Sequence, residues 1–149
     1  MKKPDFEKIE SNLDEVKKYC LANFAPDQIG VQYDKFSEKY ELVLRDCVGF
    51  ADPEICAKAV EELGIPKEAR FIDFACGTGL VGENLLAKGY KNFEGVDASS
   101  GMIDKCKAKG HYKSLKQMYL GGGDLPEDMQ NAYDVVMCSG SFLPGHLPS

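Results

Sequence analysis

Phe71-Ile72-Asp73-Phe74-Ala75-Cys76-Gly77-Thr78-Gly79-Leu80-Val81-Gly82 is the stretch whose reading decides the fold. Phe71 to Ala75, mostly apolar, reads as the first strand. Glycines come next, and a helical segment opens at Leu80. Without side chains the glycine turn lets a ligand approach the backbone, while free amides and the dipole of a new helix attract anionic groups such as a carboxylate or phosphate. A strand feeding such a turn and then a helix is the first unit of an open α/β sheet, which binds its ligands at the carboxyl ends of its strands.

Reading outward from this unit, a helix from about Leu80 to Lys88 closes at Gly89, and Phe93 to Val96 is a second strand. Ser99 or Ser100 caps a helix running to Gly110, Leu115 to Leu120 is a weaker third strand, and Tyr133 to Cys138 is the fourth. Strands alternating with helices predict an α/β fold: a Rossmann-like, mostly parallel sheet with about four strands present. Val135, Val136 and Met137 form a continuous apolar run, which predicts burial on both faces. The chain reaches Ser149 about a dozen residues later, whereas such sheets commonly hold five or more strands. A C-terminally truncated form, with its activity in question, is the expectation.

Upstream the pattern is helical. Ile9, Leu13, Val16 and Cys20 fall on one stripe of a helix that Pro26 prevents from continuing. Tyr33, Phe36, Tyr40, Leu44 and Cys47 predict one further helix ending near Gly49. Asp52 as N-cap and Pro53 at the first helical position start a third, which stops at Gly64 with Ile65 and Pro66 after it. The division expected is an N-terminal helical cap over 1–66 and a Rossmann-like cofactor-binding core over 67–149, together one domain.

The composition of 149 residues is 44% hydrophobic and 28% charged, and 18 basic against 24 acidic residues give a net charge of −6. An acidic balance argues against nucleic acid or an anionic membrane as partner, because both require clustered Lys and Arg. The one basic tract, Lys105, Lys107, Lys109, Lys113 and Lys116, begins at a helix end whose dipole favours cations. Met1 to Glu10 is charged with no apolar signal region, and no stretch is long and apolar enough to span a bilayer, so the expected compartment is the cytoplasm, with the nucleus as alternative. Six scattered cysteines with no C-x-x-C pair suggest neither a disulfide framework nor a metal site.

Two enzyme classes compete for the glycine turn. Gly77, Gly79 and Gly82 satisfy the dinucleotide spacing, with Asp97 about twenty residues on, which is the reading of an NAD(P)-dependent oxidoreductase. Asp73 places negative charge beside the loop, where a pyrophosphate would be repelled and a cation held. S-adenosylmethionine carries a sulfonium, an ammonium, a carboxylate and a ribose, so Asp73, the loop amides and Asp97 each find a partner on it. A third reading, from a different class, is a non-catalytic interaction module that self-associates through an exposed strand edge.

Asp73-Phe-Ala-Cys-Gly-Thr-Gly79, then Gly95-Val-Asp-Ala-Ser-Ser-Gly-Met102, resembles the class I S-adenosylmethionine-dependent methyltransferases. Within them Phe74 to Asp97 and Ser139-Gly-Ser-Phe-Leu-Pro-Gly-His146 are most similar to the methyltransferase-like protein 27 group, and the likeness runs from about Tyr33 to the chain end. The resemblance implies S-adenosylmethionine as cofactor and a small-molecule or protein methyl acceptor. It implies that Gly77 and Gly79 face the methionine moiety, that Asp97 accepts both ribose hydroxyls, and that Met102 packs on adenine. Asp124 would contact the adenine amino group with the Leu125 amide nearby, and Ser139 and Gly140 would lie beside the methyl group. Tyr40 would cover the cofactor or substrate. Plain packing for Met102 and Tyr40, and a simple turn for Asp124, are the alternatives. His146 is a candidate base, and Cys76 is expected to pack beneath the loop rather than attack anything. No residue need act as a covalent catalyst, because methyl transfer is an in-line displacement that positioning in a dry pocket can accelerate.

Overall fold

Four parallel strands in the order β3-β2-β1-β4 organise the chain in a computed structural model that describes residues 6–121, 123–142 and 146. The strands are β1 (Phe71–Phe74), β2 (Phe93–Asp97), β3 (Leu115–Gln117) and β4 (Val135–Cys138). Phe71 sits opposite Phe93 on one side and Val135 on the other, and Gly95 opposite Leu115. The helices are α1 (Phe6–Tyr19), α2 (Ile29–Phe36), α3 (Asp52–Glu62), α4 (Leu80–Ala87) and α5 (Ser100–Lys109). Leu143, Pro144 and Gly145 of the Ser139–His146 stretch lie outside the described residues, as do the side chains of Ile9 and Cys47. Among the described residues no helix is long and apolar enough to cross a membrane, and no group of three or more His, Cys, Asp or Glu could hold a metal ion.

Side chains alternate across β1, so Phe71 and Asp73 face one layer and Ile72 the other. Phe71 joins Ala57, Val60, Val81, Leu85, Phe93 and Met137 in the core beneath α3 and α4. Ile72 packs with Val96 and Met129, covered by Leu120, Leu125 and Tyr133 of the connection between β3 and β4. Ser99 caps α5, its hydroxyl accepting the Met102 amide. Gly64 and Gly110 take the left-handed conformation that ends their helices, at φ +66° and +68°.

Three expectations are corrected. The single helix from Tyr33 to Gly49 is two pieces. α2 ends at Phe36, then comes a turn in which the Lys39 amide donates to the Phe36 carbonyl, and Leu42–Val48 is wound as a π-helix. The break lies where α5 presses on the helix: a Cβ on Gly101 would stand 2.8 Å from Ser37 Oγ, and that hydroxyl already donates to the Asp34 carbonyl. The wider winding brings Val43 and Leu44 onto the face that buries Phe36, Tyr19 and Cys20. Ala51 rather than Asp52 is the N-cap of α3, with Asp52 placed in the first turn, where its negative charge still favours the dipole. β4 is an edge strand, and it is not buried on both faces: Met137 is in the core, but Val136 is 61% exposed.

One carboxylate fastens α2 to the start of α5. Asp34 on α2 accepts hydrogen bonds from Ser99 Oγ at 2.6 Å and the Gly101 amide at 2.8 Å, both at the start of α5. Gly30, one turn earlier, has no room for a side chain, since a Cβ would meet the Ala98 carbonyl oxygen at 2.6 Å. Asp34→Ala leaves that hydroxyl and amide unpaired and is expected to cost about 1 to 3 kcal/mol. A urea unfolding midpoint equal to wild type would contradict this role for Asp34.

Candidate functional site

A cleft of about 820 Å³, counted to its open mouth, runs across the carboxyl ends of the strands beneath the N-terminal helices. Its floor is built by the residues just past each strand: Ala75, Cys76, Gly77 and Thr78 after β1, Asp97 and Ala98 at the end of β2, Met118, Tyr119 and Leu120 after β3, and Ser139, Gly140 and Ser141 after β4. Ile29, Gly30, Tyr33, Tyr40, Phe50 and Pro53 roof it from the N-terminal half.

The floor is held by Asp97. Its Oδ2 accepts the Gly77 amide at 2.8 Å and its Oδ1 the Ser99 amide at 2.9 Å, so one carboxylate ties the glycine turn to the start of α5 and keeps further lone pairs for a ligand. Burial pushes the Asp97 carboxyl up, against those two amides, which favour its ionised form. Gly77, at φ +54°, has open space where its side chain would be, with only Tyr40 Oη 4.0 Å away. Ala75 also adopts a left-handed conformation, φ +57°, which costs a non-glycine residue about 1 to 2 kcal/mol and puts local strain on the cleft wall.

Among the residues expected at the site, Tyr40, Gly77, Asp97, Met102, Ser139 and Gly140 line the cleft together, with His146 and Cys76. Asp73, Gly79, Asp124 and Leu125 do not. Asp73 is 1% exposed, on the helix-layer face of β1, and accepts a 2.5 Å hydrogen bond from Tyr112 Oη. Gly79 gives its space to protein, because a Cβ there would stand 2.6 Å from Cys106 Sγ and 3.1 Å from the Tyr112 ring. Asp124 is exposed, and Leu125 packs against the core of Ile72, Val96 and Met129. Met118, Tyr119 and Leu120 stand at the cleft in their place. Cys76, 6% exposed, is held as a thiol by the neighbouring Cys106 and by burial, in keeping with a packing role.

Tyr112 escaped the sequence reading although it explains the glycine spacing. Its ring crosses Gly79, Gly82 and Gly95: added Cβ atoms would approach it at 3.1 Å from Gly79 and 3.0 Å from Gly95, and closer still from Gly82. Its hydroxyl accepts the Gly82 amide at 3.0 Å and donates to Asp73. Gly79, the position at which a pyrophosphate would approach the backbone, therefore makes room for Cys106 and Tyr112, and Gly82 lets α4 pack closely on the same tyrosine. The only local hint is an aromatic residue just past the Gly110 helix end.

Lys109 bridges Glu41 at 2.6 Å and Glu83 at 3.2 Å, joining the helical turn that carries Glu41 to α4 and α5, and Lys105 pairs with Glu38 at 2.7 Å. Part of the basic tract is thus spent on ion pairs within the chain.

A parallel sheet in this order, with a glycine turn after its first strand and an acid closing its second, defines a Rossmann-like ligand-binding domain. Residues 71–148 match the family described as a methyltransferase domain, and the chain belongs to that family. It is 31% identical over 118 residues to human methyltransferase-like protein 27, which takes in 78% of this chain and 47% of that protein. The chain therefore spans about half the length of this curated relative. Among solved structures it is similar to the plantazolicin methyltransferase BpumL in complex with SAH, with a TM-score of 0.52 and 16% identity over 88% of this chain and 50% of that one. An S-adenosylmethionine-dependent methyltransferase from Clostridium acetobutylicum is 24% identical over 71% of this chain and 43% of its own, at a TM-score of 0.48.

Proposed function

We propose that the cleft binds S-adenosylmethionine and that the chain, or the protein it forms part of, transfers the methyl group to an acceptor lying toward the end of β4. The observation that carries this is the Gly77–Asp97 pairing: a glycine open to the cleft, bound to a carboxylate that retains lone pairs for a hydroxylated ligand. Asp97 would hold the ribose, Met102, Met118 and Ala98 would form the slot for the adenine ring, and Tyr40 would cover the methionine end above Gly77. When bound, S-adenosylmethionine supplies an electrophilic methyl carbon. The residues' own contribution is to orient the acceptor and exclude water under the roof of Tyr33, Tyr40 and Phe50. Family membership supports this reading, and the packing of Gly79 on Cys106 and Tyr112 argues against the oxidoreductase.

Asp97→Ala is expected to weaken binding of S-adenosylhomocysteine by about 1 to 3 kcal/mol, roughly a 5- to 150-fold rise in Kd. Asp97→Asn, which keeps an acceptor oxygen, should lose less. Calorimetric affinity unchanged in a folded Asp97→Ala chain would refute the assignment.

A further inference from the structure

The end of the cleft nearest β4 differs in character from the end at Asp97. The edge of the Phe50 ring meets Gly140 at Cζ, so closely that a Cβ on that glycine would stand 2.5 Å from it. Tyr33 lines the same cleft, packed with Phe50 against the cluster of Tyr19, Phe36 and Val43, and its Oη lies 2.8 Å from Nε2 of His146, which is 8% exposed. The two rings meet edge to face with centroids 5.5 Å apart, a packed and oriented pair. Cys20, Tyr40 and Asp97 are the other ionisable groups that bear on Tyr33. Burial first, and then those groups, hold the Tyr33 hydroxyl protonated far above its ordinary range, so Tyr33 cannot serve as the resting base. A phenol in that state can still accept one proton as it gives up another, and neutral imidazole is the group suited to receive it near neutral pH.

We propose that Tyr33 and His146 form a proton relay for the methyl acceptor, and that the acceptor is a neutral aromatic molecule bearing an acidic hydroxyl and lying against Phe50. This rests on the methyltransferase reading and names the substrate class for it. In the step, the acceptor's O–H bond breaks and its proton goes to Tyr33 Oη, while the Tyr33 proton passes to His146 Nε2. A neutral phenol and a neutral imidazole become a phenolate and an imidazolium, and the oxygen electron pair is released for attack on the methyl carbon. An aromatic amine, neutral near pH 7, attacks through its lone pair and sheds a proton only afterwards, whereas an aromatic hydroxyl becomes a strong nucleophile by losing its proton first, and the relay is matched to the hydroxyl. Tyr33 would be the catalytic residue in contact with the acceptor, and His146 would act through it.

The test uses 4-nitrophenol, which turns yellow on losing its proton. Wild-type chain, Tyr33→Phe and His146→Gln are checked for folding by circular dichroism, saturated with S-adenosylhomocysteine, and titrated with the dye across pH. In the wild-type complex the bound dye should ionise at least about one pH unit below the free dye, a tenfold shift that a phenolate–imidazolium pair produces. Both variants should lose that shift. Dye that fails to bind the wild-type complex, that binds without the shift, or that keeps the shift in Tyr33→Phe overturns the relay alone. Failure of all three folded chains to bind S-adenosylhomocysteine overturns the methyltransferase reading and the relay with it.

Discussion

Gly82→Ala is expected to destabilise the chain by about 1 to 3 kcal/mol, the usual cost of overpacking a filled interior. Helix propensity alone predicts the opposite, since alanine is favoured over glycine inside a helix by about 1 kcal/mol. Sterics decide, because the new methyl would run into the Tyr112 ring in a helix whose Gly82 amide is bound by the same tyrosine. The sign should therefore reverse when the tyrosine is shortened. Tyr112→Leu ends at Cδ and lacks every Tyr112 atom that crowds position 82, so in that background Gly82→Ala should be neutral or stabilising. Urea unfolding of the four chains of this cycle gives the coupling directly, and additive effects of the two substitutions would contradict the tyrosine's role.

The second large effect is on pH. Burial raises the Asp73 carboxyl to about 7 from its ordinary 3.8, with the Tyr112 hydrogen bond opposing and the Asp97 charge adding to the rise. Between about pH 4 and pH 7 the native chain keeps a proton that the unfolded chain has lost, so this residue's contribution to stability falls as pH rises through that window. Below the window both states are protonated, and above it both are ionised. At 1.36 kcal/mol per unit the loss amounts to about 4 kcal/mol at most. Glu61, held below the usual range by the hydrogen bond from Lys88, contributes with the opposite sign, so total stability is not the readout. The difference between wild type and Asp73→Asn is: it should move by a few kcal/mol in favour of the asparagine variant from pH 4 to pH 8 and stay level beyond. A difference independent of pH would mean that Asp73 is ionised throughout.

What the sequence made legible was what local chemistry determines. Gly64, Gly110 and Ser99 ended or began helices where left-handed glycines and a capping hydroxyl act within a few residues. The strands around Phe71 and Phe93, and the turn at Gly77, carried their signal in adjacent residues. The N-cap of α3 missed by one residue, Ala51 for Asp52, and the larger misreadings involve partners distant in the chain. The break after Phe36 depends on Gly101, more than sixty positions away, and the purpose of Gly82 depends on Tyr112. Continuous apolar character at Val135–Met137 reported strand propensity correctly, but burial of the second face required neighbours that the run itself cannot specify. Asp124 was placed by its likeness to an acidic position after a third strand, whereas Met118 to Leu120 are the residues that the short β3 delivers to the cleft.

Isothermal titration of the 149-residue chain with S-adenosylmethionine, S-adenosylhomocysteine and NAD separates the readings of the cleft in one experiment. Saturable, single-site binding of the two methionine-derived ligands, with no heat from NAD, is the expected result. Binding of NAD by the folded chain, with silence from both of the others, would contradict it.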